Sequence, residues 1–115
     1  MQKNLISELT FSFSLKIIDL YQHLKDRNEY VISKQLLRSS TSIGANVVEA
    51  LDGSSKRDFM YKMSIAKRGA RETQYWLKLL SRSLNIIYLT DNQPYNVDNY
   101  LIFRVQNCKG SATFN

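Results

Sequence analysis

The chain has 115 residues, of which 43% are hydrophobic and 23% charged, the composition of a single compact globular domain rather than a disordered segment. Four glycines and one proline argue against a turn-rich β-sandwich or barrel, and a lone cysteine, Cys108, excludes an intramolecular disulfide and any multi-cysteine metal site. Sixteen Lys and Arg against ten Asp and Glu leave a net charge of +6 and a pI near 9.6, a balance that favours polyanionic partners.

Taken in chain order, apolar residues from Leu9 recur at Phe13, Ile17, Leu20, Tyr21 and Leu24, the i, i+3/i+4, i+7 spacing of an amphipathic helix. The spacing predicts a first helix over 7–27. Ser33 is the predicted N-cap of a second helix, over 33–51, whose apolar set is Leu36, Leu37, Ile43, Val47 and Leu51. The run Ser39, Ser40, Thr41, Ser42, Ile43, Gly44 is poor in helix propensity, because hydroxyls compete for backbone groups and glycine carries excess entropy. The angular partition nevertheless favours one continuous helix. Ser40, Gly44, Val47 and Leu51 share a strip where a second helix can approach closely, and Arg38, Ser42, Ala45, Glu49 and Asp52 fall opposite. Gly53 is predicted as a left-handed C-cap, and Ser55 with Asp58 reads as a capping box opening a third helix over 55–83. Asp91, Asn92, Gln93 and Pro94 mark a turn, and a fourth helix is predicted over 96–108, followed by a short tail. Four helices with short connections in one domain spanning 1–115 make an all-α, antiparallel up-and-down four-helix bundle. The longest strongly apolar run, Ile86, Ile87, Tyr88 and Leu89, falls far short of the ~20 residues of a membrane span. Glu8 interrupts the apolar stretch of the first fifteen residues, so neither a signal peptide nor a membrane partner is expected, and the expected location is cytoplasmic.

The third helix carries the charge. It holds eight cations, Lys56, Arg57, Lys62, Lys67, Arg68, Arg71, Lys78 and Arg82, against Asp58 and Glu72; the remaining residues carry eight charges of each sign. At about 100° per residue with Lys56 at 0°, Lys67 falls at roughly 20°, Lys78 at 40°, Arg71 at 60°, Arg82 at 80°, Arg57 at 100° and Arg68 at 120°. Seven of the eight cations thus share one third of the helix surface, with Met60 and Tyr75 among them. A stripe of like charge repels itself unless counter-charges neutralise it; a phosphate backbone would do so with salt-dependent, sequence-tolerant affinity, and Tyr75 would stack on an unpaired base. The plainer alternatives are a solvated face, or cations paired with carboxylates of a neighbouring subunit.

Other polar residues point to structure rather than chemistry. Arg38 and Glu49, with Asn46 nearby, lie too far apart to pair within one helix, and read as inter-helix or inter-subunit ion pairs, Glu72 being one candidate partner. Trp76 beside Tyr75 and Leu77 reads as core or interface packing. The sole histidine, His23, is placed on an exposed flank of the first helix. No glycine-rich phosphate loop, Glu-x-x-His metal motif or nucleophile–base pairing is present, so no catalytic residue, metal or cofactor is expected, and the protein is read as non-enzymatic.

The run Arg38, Ser39, Ser40, Thr41, Ser42, Ile43, Gly44, Ala45, Asn46, Val47, Val48, Glu49, Ala50 resembles the signature of a bacterial four-helix-bundle family. Its members are encoded by intervening sequences within large-subunit ribosomal RNA genes, and are often labelled ribosomal proteins. A second signature is matched by Ser55 to Phe59, by Ile65 and Ala66, and by Glu72, Thr73, Gln74, Tyr75, Trp76, Leu77, Lys78, Leu79 and Leu80. Ala50 stands where the family usually has glycine, and the predicted fourth helix is short. The resemblance implies an antiparallel bundle that assembles into ring-like homo-oligomers, typically pentamers. It also implies kinship with the basic bundle proteins that accompany reverse transcriptases of diversity-generating retroelements, and hence a reverse transcriptase or a ribosome-associated partner. Residues and resemblance together give an oligomeric protein that binds nucleic acid, RNA above all, through the third helix. The alternative is a scaffold docking an acidic protein such as a polymerase.

Overall fold

The structure is a computed structural model that describes residues 2–84, and among them the fold is all-α: α1 (Gln2–Asp26), α2 (Val31–Leu51) and α3 (Lys56–Ser83). The predicted fourth helix, 96–108, and Cys108 lie outside the described residues.

α1 starts five residues earlier than its predicted boundary, because Ile6 extends the apolar stripe back one turn and is buried with Phe13, Ile17, Leu20 and Leu24. It ends in a Schellman arrangement: the Glu29 N–H donates to the Leu24 carbonyl (2.9 Å), the Asn28 N–H donates to Lys25 (2.9 Å), and Asn28 takes the left-handed conformation at φ 65°. The left-handed residue was predicted at Gly53, which does not adopt a positive φ. Gly53 instead closes α2 with a tight N–H bond to the Ala50 carbonyl (3.0 Å). An added Cβ there would sit 3.0 Å from that oxygen and 3.3 Å from the Asp58 Cβ, so the position needs a small residue for space.

Ser33 is not the N-cap of α2. The helix begins at Val31, and the Glu29 side chain caps it, one carboxylate oxygen accepting from the N–H groups of Val31 and Ile32 (3.2 Å each) and the other from Ser33. Three orphan donors of the first turn are thereby satisfied by one anion at the positive end of the helix dipole. Ser33 is buried one turn in, its hydroxyl donating to the Glu29 carbonyl (2.9 Å).

α2 does run straight through the serine-rich segment, and the hydroxyls show how. Ser39 and Ser40 donate back to the carbonyls of Leu36 and Leu37 (3.2 Å each), and Thr41 to Leu37 (2.7 Å), so they bond within the helix rather than against it. Ser39 also meets Thr73 of α3, oxygen to oxygen at 2.9 Å, which satisfies a buried hydroxyl on each side. Small residues let the backbones close in. Gly44 faces Thr10 of α1, and Gly69 of α3 lies so near α2 that an added Cβ would be 3.1 Å from the Ser39 carbonyl oxygen and 3.3 Å from Ile43 Cγ1.

These contacts make two antiparallel hairpins that share α2. α1 and α3 pack on α2 from different sides, and no Cα of α1 comes within 8 Å of one in α3. The apolar core, Phe13, Leu20, Leu36, Ile43, Val47, Phe59, Met63, Leu77 and Leu80 among it, lies along the faces of the three helices.

Candidate nucleic-acid interface

α3 has the predicted N-cap, one half of the expected capping box: Ser55 is extended (φ −148°, ψ 161°) and its hydroxyl accepts from the Asp58 N–H at 3.1 Å. The Asp58 carboxylate, however, accepts from the hydroxyl of Ser54 (2.9 Å), which ties the α2–α3 turn to the helix start. The buried side of α3 carries Phe59, Met63, Ala66, Gly69, Ala70, Thr73, Leu77 and Leu80. Gly69 and Thr73 are the residues against α2, at roughly 220° and 260° on the angular scale, so the basic sector at about 0–120° lies on the far side of α3 from α2. Lys56, Arg57, Arg68, Arg71, Lys78 and Arg82 are all exposed, and Lys67 is half-buried.

Counter-charges on the described residues go elsewhere. Asp58 serves the helix start. Glu72 pairs with Arg38 of α2 and also accepts from the Trp76 indole N–H (3.0 Å). Glu49 of α2 pairs with Lys62 at 2.6 Å, and its carboxylate raises the Lys62 ammonium above its ordinary pKa, by hydrogen bonding first and Coulomb attraction second. Lys62 is the one α3 cation outside the basic sector. Among the described residues, none of the seven inside it forms an ion pair.

Of the polar residues singled out on α2, Arg38 and Glu49 therefore reach α3 rather than one another. Arg38 is also held by the Gln35 side-chain oxygen (3.0 and 3.2 Å), and Asn46, half-buried, donates to the carbonyl and hydroxyl of Ser42 (2.8 and 3.1 Å). Trp76 packs half-buried against the core. His23 is half-buried rather than exposed.

Two features were not found in the sequence. Tyr61 is 61% exposed beside the basic sector, at roughly 140°, and Tyr75 within it is 58% exposed. The signal for Tyr61 was its seven-residue spacing from Arg68, itself seven from Tyr75. On the other flank, Phe11, Leu15 and Ile18 form an exposed apolar stripe on α1; at its Phe11 end a groove of about 940 Å³ opens, with Ser14, Gly44, Ala45 and Val48 on its walls. Its signal was a second i, i+4, i+7 series on α1, out of phase with the core series.

The sequence matches the description "23S rRNA-intervening sequence protein" over residues 2–99. The chain belongs to that family. A solved structure from Bacteroides thetaiotaomicron, described as a protein of unknown function from the S23 ribosomal protein family, is 39% identical, with a TM-score of 0.79 over 92% of each chain. No curated protein matches. The match spans all three described helices, and within this family member the inter-helix ion pairs and the closest backbone approach lie in the α2–α3 hairpin. Among its described residues no helix is long and apolar enough to cross a membrane.

Proposed function

We propose that this intervening-sequence protein is a non-enzymatic, self-associating bundle of the cytoplasm that binds nucleic acid, RNA in preference, through the outer face of α3. One observation carries this: seven cations, six of them exposed, on one third of the surface of a 28-residue helix, with the carboxylates of that helix committed to other partners. Among the described residues no carboxylate pairs with this face over ~40 Å of helix, and a chain of phosphates is a ligand that would neutralise it along its length. The family's tie to 23S rRNA sequences favours RNA.

The open arrangement of α1 and α3 about α2 supports a fourth helix, over 96–108, completing an up-and-down bundle. The exposed stripe of Phe11, Leu15 and Ile18, continued by Val48 across the groove, supports self-association, as a ring of five by the family resemblance. A ring multiplies a weak single-helix contact by avidity.

The test is nitrocellulose filter binding of RNA by the Arg71→Glu, Lys78→Glu double variant. Both side chains are exposed, so the fold is retained, and affinity falls at least tenfold. Unchanged affinity would overturn the reading and assign the basic face to an acidic protein such as a polymerase.

A further inference from the structure

Resting on that reading of α3, a second observation narrows the ligand. The basic face divides into two rows. At roughly 0–60° lie Lys56, Lys67, Arg71 and Lys78; at roughly 80–140° lie Arg57, Tyr61, Arg68, Tyr75 and Arg82, in which cations and aromatic rings alternate along the helix. Both rings are more than half exposed, against the tendency of large aromatics to bury.

Each ring also has a neighbour that is tied to α2. Tyr75 meets the edge of Trp76, centroids 5.3 Å apart at 68°; the Trp76 indole is pinned by Glu72, which is in turn held by Arg38 of α2. The Tyr61 ring lies 5.9 Å from the Lys62 ammonium, which is held by Glu49 of α2. The two ion pairs that join α2 to α3 thus each terminate at one of the two exposed tyrosines. Ion pairs at the surface contribute little to stability, but here they lie beside two exposed rings about 21 Å apart along the axis.

We infer that the face is built for single-stranded nucleic acid: the lysine-rich row takes the phosphates, and Tyr61 and Tyr75 stack on unpaired bases. A duplex keeps its bases stacked on each other and offers this face only phosphates, leaving the rings without a partner. A single strand presents π-faces that each ring accepts regardless of sequence, and the interleaved guanidinium groups stack in the same way.

Fluorescence anisotropy with labelled oligouridine and with an RNA duplex of equal length separates the cases. The single strand binds more tightly. Tyr61→Ala and Tyr75→Ala each weaken single-strand binding about tenfold or more and leave duplex binding unchanged, while Tyr61→Phe and Tyr75→Phe retain it. Trp76, the sole tryptophan, reports on the site: its emission changes when the single strand binds and not with the duplex. Equal affinity for both forms, or alanine variants that bind the single strand normally, overturns the inference while leaving the nucleic-acid reading standing. Binding of neither form defeats that reading itself.

Discussion

Gly44 and Gly69 show how a single atom decides the effect of a substitution. Both lie within helices, where alanine gains about 1 kcal/mol over glycine from backbone entropy. At Gly44 the new Cβ would meet Thr10 Cβ at 3.4 Å, an ordinary contact, so Gly44→Ala raises the midpoint of thermal unfolding. At Gly69 it would sit 3.1 Å from the Ser39 carbonyl oxygen, which belongs to a helix backbone and cannot swing aside, and 3.3 Å from Ile43. Forcing the helices apart costs about 1–3 kcal/mol and outweighs the propensity gain, so Gly69→Ala lowers the midpoint. Circular dichroism melts of the two variants check the opposite signs. The strip of small residues on α2 was legible in the sequence, but the tighter approach at Gly69 was not, since it depends on the register of α3.

At the scale of the element, α2 owes its start to a residue outside it. Glu29→Ala strips a cap from three backbone N–H groups and is expected to cost about 1–2 kcal/mol. Denaturant unfolding would show the midpoint lowered with an unchanged slope, and a loss under half of that would contradict the capping role. Sequence reading placed the cap at Ser33 because serine is the commoner N-cap. A carboxylate bonding forward across the turn carries no comparable spacing signal. α3 was far more readable: its N-cap at Ser55, its buried side and its basic sector all follow from a 3.6-residue period. What periodicity could not supply was the fate of the carboxylates. That Glu49 and Glu72 reach Lys62 and Arg38, and so pair with none of the cations in the sector, depends on the inter-helix register.

At the scale of the whole molecule, the net charge of +6 resolves into a local feature, one helix facing outward from two nearly neutral neighbours. The opposite flank carries the apolar stripe of α1, so the basic and apolar surfaces are spatially separate. Under the proposed self-association, Phe11→Glu, with Phe11 67% exposed, is expected to disrupt assembly without unfolding the chain. Light scattering after size exclusion would find the wild type assembled and the variant at a single-chain mass, and an unchanged assembly would remove this face from the account. That stripe was missed in the sequence because exposure of an apolar residue is decided by where the neighbouring helices stop.

The central claim is that α3 binds phosphates through named side chains, and the salt dependence of RNA affinity counts them. Each phosphate contact adds about 0.7 to the steepness of log K against log salt for a single strand. The account predicts a steep wild-type slope that flattens by about 1.4 or more in the Arg71→Glu, Lys78→Glu variant. A shallow wild-type slope, or the same slope in both proteins, would contradict it.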